Sequence, residues 1–486
     1  MATKKLVGVQ TQHPEYTAML KTWKRCNDAA DGEKQIHEGK TAYLPMLKKE
    51  LTADYNKRRN RTPWFNATAR TIAGLKGMVF RKEPQVETAA SITESLNDID
   101  MAGSPLDVFA QNLVINVLRT GRAGILVDFP QNETDEDMSE AQAAELGLRP
   151  MIVKYPAVSI INWKVERVFN VMKTTLVVLA EVATLDGTDE YEHKTEKRYR
   201  VLDLKQTLAN KGTKDESIVL AYRQRVFTSD NKGNDTQIGS DIFPEMNNQL
   251  MDEIPFFFVS PDDIGASVSK PPLLDLIDMN VHHYAVSSDY EHGCHLSGLA
   301  TLFLFGYTVD DSNPEIRIGG AAANAVPDAE AHAEYLEVTG DFGALRANLN
   351  AKKSEMAVLG ARLLEGEKEA VESDKTLRQR SLGEQSQLAA MTEIISMVLT
   401  AALQVFSDWS GAEGKVSYKL NKDFMPEGMS PEDLTAKVEA WQAGAFSKQV
   451  LFENLQRGEV ITQETTFEEE QERIASQTLI PPNEDE

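Results

Sequence analysis

Between residues 124 and 260 the sequence abandons helical spacing. "AGILVDFP", "MIVKYPAVSIINWKVE", "TTLVVLAEVAT", "KRYRVLDLK", "SIVLAYRQRVFT" and "IPFFFVS" are β-branched or aromatic runs set between polar turns. Parallel strands need crossover segments of a dozen or more residues, usually helical. No continuous series of such helices separates these runs, although "NETDEDMSEAQAAELG" fits an acidic loop or a surface helix. The spacing therefore predicts hairpin-linked strands, and a chain that segregates its helices from its strands is α+β.

Helical periods flank this block. Residues 15–50 read as polar helix, interrupted at Asp31 and Gly32 and again at Pro45. Ala67, Ile72, Leu75 and Val79 mark an amphipathic helix. "SPLDVFAQNLVINVLRTG" starts with Ser104 as a cap and Pro105 in the first turn, and ends at Gly121. Past residue 270, Leu274, Ile277, Val281, Tyr284 and Ser288 fall on one face, behind prolines that a first helical turn tolerates. Short strands and Gly/Ala/Pro turns follow. Leu345, Leu349, Met356, Leu359 and Leu363 then line a second helical tract. "LGEQSQLAAMTEIISMVLTAALQVFSDWSG" is the clearest helix in the chain, closed by Gly411.

At 486 residues the chain can hold more than one domain, and its 41% apolar and 26% charged residues are those of a folded protein. Its 51 basic and 75 acidic residues leave a formal charge of -24. That balance opposes wrapping around a phosphate backbone, where affinity comes from releasing counterions. Cys26 and Cys294 are too few for a disulfide framework. No signal-peptide run is expected at the N-terminus, and no stretch is expected to act as a membrane helix of about 20 apolar residues.

Motifs for phosphate cradling (GxxxxGK[ST]), zinc hydrolysis (HExxH), nucleophile elbows (GxSxG) and dinucleotide binding are absent. Nothing here predicts an enzyme or a cofactor. One cluster, His282, His283, His292 and His295, invites a chemical reading: His292 and His295 would share a helix face if the helix continues past Gly293, and could then hold a metal, while His282 lies too far back to join them. A structural role is the expected reading, with a contact built between subunits as a further alternative.

The stretch "YNKRRNRTPWFNATARTIAGLKGMVFRKEP" concentrates Arg58, Arg59, Arg61 and Arg70 around Trp64 and Phe65 inside an acidic chain. Nucleic-acid contact would need a wider positive field. A subunit or domain joint needs only acidic neighbours for bidentate arginines and a pocket for the aromatic anchors. The joint is expected, and nucleic-acid contact remains the alternative.

This stretch, "PLLDLIDMNVHHYAVSSDYEHGCHLSGLATLFLFG", "LEVTGDFGALRANLNAKKSEMAVLGARLLEG", "RQRSLGEQSQLAAMTEIISMVLTAALQVFSDWSG", "VSYKLNKDF" and "AWQAGAFSKQVLFENLQRGEVI" occur in an order that resembles tailed-bacteriophage portal proteins. The resemblance is to the portal-like family known by a domain of unknown function (DUF4055-like). It implies a portal fold with a wing at 1–265, an outgoing stem helix at 266–294 and a clip at 295–341. A returning stem helix and tunnel loop would occupy 342–375. A wing/crown helical region with an acidic tail would occupy 376–486.

The implied function is a ring, typically of 12 subunits, at one capsid vertex of a virion assembled in host cytoplasm. Double-stranded DNA would pass through it during packaging and ejection. Its implied partners are the major capsid protein, the terminase large subunit and head-completion or tail adaptor proteins; no membrane is implied. By position, Arg362 and Lys368, beside Glu365 and Glu367, are candidate channel or DNA contacts. Leu274, Ile277, Val281, Leu345, Leu349 and Met356 are the candidate seam of the stem helices, between subunits or within one bundle. An acidic virion scaffold or adaptor without DNA passage is the alternative function, and a hydrolase is the third.

Overall fold

In the computed structural model the described residues are 8–130, 148–185, 189, 191–209, 217–230, 234–247, 249–297, 301–308, 317–318, 321–322, 324–327, 330–336, 342–361, 386–424, 431–457, 460–461 and 465–476. The chain divides into two compact units, Met1–Lys422 and Asp423–Glu486. Arg362, Glu365, Glu367, Lys368, most of the expected tunnel loop and the acidic segment at 131–145 lie outside the described residues.

The first unit begins with α1 (Pro14–Asp31), whose N-cap His13 accepts the Glu15 amide on Nδ1, and α2 (Glu33–Gly39). The basic stretch folds as two helices, α3 (Thr52–Arg61) and α4 (Ala67–Val79), with the Asn66 side chain capping the second. After β1 (Gln85–Glu87) comes α5 (Leu106–Thr120). Its N-cap is Pro105, with no side-chain cap bond, so Ser104 does not perform the expected capping. Its C-cap is Gly121, at φ 67, and a Cβ there would lie 3.0 Å from Lys270 O. Both the left-handed backbone and the close approach exclude a side chain.

Strands β2 (Ala123–Asp128), β3 (Met151–Pro156), β4 (Ile160–Val168), β5 (Val171–Leu185), β6 (Lys194–Ala209), β7 (Ser217–Ser229) and β8 (Asp235–Ile242) follow. β4 to β8 form an antiparallel meander in sequence order. Past the two-residue strands β9 (Glu245–Met246) and β10 (Gln249–Leu250), β11 (Phe256–Val259) joins a second antiparallel sheet, ordered β11-β2-β3. The expected hairpin-linked β block is present.

β2 is buried along its whole length, so both faces of its sheet are covered. Leu126, Tyr155, Phe256 and Phe258 join Ile160, Trp163, Leu179 and Tyr222 of the meander, with Tyr16 and Trp23 of α1, in one core. A polar network also ties the two sheets. Arg200 donates to Glu181 (2.8 Å) and Asp128 (3.2 Å), Gln224 donates to Asp128 (2.7 Å), and the Tyr155 hydroxyl donates to Glu181 (2.6 Å).

A second helix-rich stretch completes the unit. α6 (Leu274–Ser297) starts later and ends later than the expected 266–294, because Pro271 and Pro272 form a turn ahead of it. Short strands β12 (Thr301–Phe305), β13 (Arg317–Ile318), β14 (Ala321–Ala322), β15 (Asn324–Val326) and β16 (His332–Leu336) lie beyond it. β12 pairs in parallel with β15 and antiparallel with β16. Then come α7 (Gly343–Ala361), α8 (Gln387–Trp409) and β17 (Ser417–Lys419), which pairs with β1. The fold class is α+β.

Contrary to expectation, α8 is long and apolar enough to cross a membrane by length and composition. Its face carrying Ile395, Leu399, Ala402 and Phe406 is fully buried, and the helix packs on the β11-β2-β3 sheet, as a core helix does. In the second unit, α9 (Pro431–Gln442), α10 (Lys448–Arg457) and α11 (Phe467–Ser476) form a small helical group with Phe452 against Phe467. Thr466 and Glu469 exchange side-chain-to-amide hydrogen bonds, a reciprocal capping box that starts α11.

Candidate functional site

α6 meets the α3–α4 corner along a face that hydropathy alone would send to solvent. Its buried residues are Leu276, Ile277, Asn280, His283, Tyr284, Ser287 and Ser288. Asn280 and Ser288 hydrogen-bond across the joint, whereas His283 and Tyr284 enter it through their rings. Asn280 Oδ1 accepts from the Thr68 amide (3.2 Å) and hydroxyl (3.0 Å), while its Nδ2 donates to Phe65 O (2.8 Å). Arg58 spans the joint. Nε and Nη2 each donate to Glu50 at 2.8 Å, Nη2 also reaches Pro45 O at 3.0 Å, and Nη1 donates to Ser288 Oγ at 2.9 Å. The arginine hydrogen bonds hold the Glu50 carboxyl below its ordinary pKa.

The aromatic residues of the basic stretch lock into the same face. Trp64 is buried and packs edge-on against Tyr284 at 5.8 Å between ring centroids. Phe65 is half-buried, 5.4 Å from the His283 ring, with the Arg70 guanidinium at 5.4 Å and the Lys353 ammonium at 5.0 Å from its own ring. His283 is buried with neither ring nitrogen hydrogen-bonded. Burial, then the ammonium groups of Lys353 and Lys352, hold its pKa down to about 4. Arg59 lies over Tyr55 and donates to Asn60, and Arg61 is exposed.

α7 packs antiparallel on α6. Leu276 lies beside Gly360, Met279 Sδ is 3.9 Å from Lys352 Nζ, and Gly293 abuts Phe342 just ahead of α7. A Cβ on Gly293 would lie 2.5 Å from the Phe342 ring, so the glycine sets how closely the pair approaches. Of the expected seam, Ile277, Leu349 and Met356 are already buried within this chain, and Leu274, Val281 and Leu345 are half-buried. The first three therefore have almost no apolar surface left for a neighbour; they are covered by their own chain. The buried stripe of α6 is also turned by about one residue from the expected face, because Asn280, His283 and Ser287 replace apolar residues on it.

α6 does continue through Gly293, placing His292 and His295 one turn apart. Among the described residues, however, no group of three or more His, Cys, Asp or Glu side chains could hold a metal. An open groove of about 790 Å³ lies elsewhere, between residues 11–15, strand β4 and Ala266–Ser267. His13 stacks on Trp163 there at 3.9 Å, and the buried Arg122 guanidinium lies 4.2 Å from the same ring, donating to Ala266 O and Ser267 O. His13 Nδ1 is occupied in capping α1, so the groove does not pair a free histidine base with a nucleophile.

The α6, strand and α7 arrangement occupies one stretch of the chain, and that stretch is the one that matches a family model. Residues 272–410 match a domain of unknown function, DUF4055. The DUF4055 segment thus runs from the turn before α6 to the end of α8. Its partner surface on α3 and α4 lies outside the matched residues, so the joint connects the DUF4055 segment to the N-terminal helices. A search of curated proteins finds no match.

Among solved structures, the chain is similar to one from the virion of a native gene transfer agent particle, at 8% identity and a TM-score of 0.36, covering 85% of this chain and 96% of that one. It is also similar to one from the neck of an empty gene transfer agent particle, at 10% identity and a TM-score of 0.35, covering 80% and 90% respectively. Similarity at these scores decides neither fold nor function.

Glu50, Thr68, Asn280 and His283 are the joint residues that sequence reasoning missed. The available signal was their helical register: Asn280, His283 and Ser287 follow Leu276 at intervals of three or four.

Proposed function

We propose that this chain is a subunit of a ring-shaped conduit at a capsid vertex, a portal protein without enzymatic activity. The observation that carries this reading is the antiparallel α6–α7 pair bracketing the short-strand excursion at 301–336, all within the DUF4055 segment. In portal terms α6 is the outgoing stem helix, the strands at 301–336 form the clip, and α7 is the returning stem helix. Residues 1–265 belong to the wing, and those from 376 onward to the wing/crown region. The Arg58 joint holds the stem to the wing.

The surface of α7 supports self-association. Between 343 and 360 only Leu349, Met356 and Gly360 are buried, so most of its circumference faces outward, Val358 included. A helix with one narrow intramolecular stripe can pack a second face against the next copy in a ring. The charge of -24 suits a conduit for a polyanion, because fixed phosphate contacts would each have to be broken as DNA moves. Double-stranded DNA, the terminase large subunit, the major capsid protein and tail adaptors are the partners of this reading, around a ring of twelve.

Negative-stain microscopy of the purified full chain tests it. An annular particle with an open axial hole is expected. A single-copy particle under every assembly condition tried would sink the ring. A closed oligomer without a through-hole would favour an acidic virion scaffold instead.

A further inference from the structure

The β4–β5 hairpin ends in an arrangement that folding alone does not favour. Val168 pairs with Val171, leaving Phe169 and Asn170 as a two-residue turn with φ 46 and 68. Tight hairpin turns of this kind need positive φ at both central residues, and Gly, Asn or Asp satisfy that at least cost. Phenylalanine is a poor choice there, because its Cβ crowds the following carbonyl in the left-handed region. Its ring gains no burial in return, being 88% exposed. Val171 and Met172 beside it are 56% and 58% exposed. In the antiparallel meander the β6–β7 turn lies at the same end of the sheet, and its paired residues Leu208 and Ile218 are exposed too.

A strained aromatic kept at the apex of an apolar sheet end points to a use outside the folded chain. We propose that the β4–β5 tip is an anchor that docks onto a second copy of this chain, with Phe169 as its central contact. The occupant follows from charge. Lys164 and Arg167, exposed on β4 just before the turn, make no ion pair among the described residues. A second copy, at -24, offers carboxylates to both of them. Exposed aromatic, Met and Arg side chains at the tip itself are residues enriched in protein-interface cores, with the charged Glu166, Lys164 and Lys173 farther back along the hairpin. The anchor deepens the proposed ring, and rests on the self-association which that reading requires.

The full chain can be followed by sedimentation velocity across a concentration series, alongside thermal unfolding at a dilution where single copies dominate. Phe169→Asn removes the anchor and suits the turn. It is expected to raise the association midpoint about tenfold or more, while raising the melting temperature of the single copy by about 1–2 °C. Phe169→Leu keeps an apolar tip and is expected to hold the midpoint within about threefold of wild type. A residue needed for folding would instead lower the melting temperature.

Unchanged association of Phe169→Asn overturns the anchor but leaves the ring standing if annular particles still form. Parallel loss of stability and association assigns Phe169 to the fold and also overturns the proposal. Phe169-dependent binding to phosphatidylserine vesicles with assembly unaffected would give the tip to a lipid surface. Wild-type protein that never associates removes both the anchor and the ring.

Discussion

Nε and Nη2 of Arg58 donate to the two carboxylate oxygens of Glu50 at 2.8 Å each, and only 3% and 8% of the two side chains remain exposed. Through Nη1 the same guanidinium holds Ser288 of the long helix α6. The joint therefore depends on an ion pair with little access to water, whose carboxylate also accepts the Leu47 amide at 2.9 Å.

Arg58→Met would leave the Glu50 carboxylate buried and unpaired, at a cost of about 3–5 kcal/mol in denaturant unfolding. Arg58→Met combined with Glu50→Leu is expected to recover much of that loss, since both charges leave together. The pair also has a pH signature. The folded-state pKa of Glu50 lies below its unfolded value. Its contribution is therefore complete above the ordinary glutamate range and is lost as pH falls through the depressed value. In Glu50→Gln this acid-limb slope should flatten; an unaltered slope would place the acid sensitivity elsewhere.

Asn280→Leu tests the neighbouring contact. It strips partners from the Thr68 amide, the Thr68 hydroxyl and Phe65 O, and should cost about 2–4 kcal/mol. Amide hydrogen exchange at residues 67–79 is expected to accelerate with it. Wild-type protection there would mean that α4 does not depend on this bond.

His283 shifts stability in the same pH direction, but as a penalty rather than a lost contribution. Its folded pKa of about 4 lies below the unfolded imidazole value, so the unfolded chain binds the extra proton. No penalty exists above the unfolded pKa of about 6.5; it builds as pH falls from there toward about 4. His283→Leu removes both the titration and two unpartnered ring nitrogens. Melting temperatures compared between pH 7.5 and 5 should fall less for the variant than for wild type. Equal falls would show that His283 is not the group protonated in this range.

Gly293→Val places branched carbons where the Phe342 ring lies, and overpacking of this kind costs about 1–3 kcal/mol. Unless the ring swings away, the α6–α7 pair should loosen at the end nearest the short strands. Faster hydrogen exchange at residues 343–350 than at 353–360 would report it. Uniform exchange along α7 would mean that the ring simply gives way.

The helices and strands were legible because they follow local chemistry: β-branched runs in the meander, the Leu-to-Trp period of α8, the glycine that closes α5. Other features were not. Pro105 and Pro271 fixed helix starts differently from the expected positions, as a turn and a cap compete for the same residues. The face of α6 was misread by about one position, because Asn280, His283 and Ser287 look solvent-facing to any hydropathy count.

Local spacing alone determined the α+β class, the hairpin-linked β block and the long helices on either side of it, since period and turn residues are properties of neighbouring positions. Only the tertiary structure decided that Arg58 meets Glu50 and Ser288, that Ile277, Leu349 and Met356 are covered by their own chain, and that Phe169 stands uncovered at a strained turn. Burial and ion pairing depend on which distant segments arrive at the same place, and no spacing within one segment contains that information.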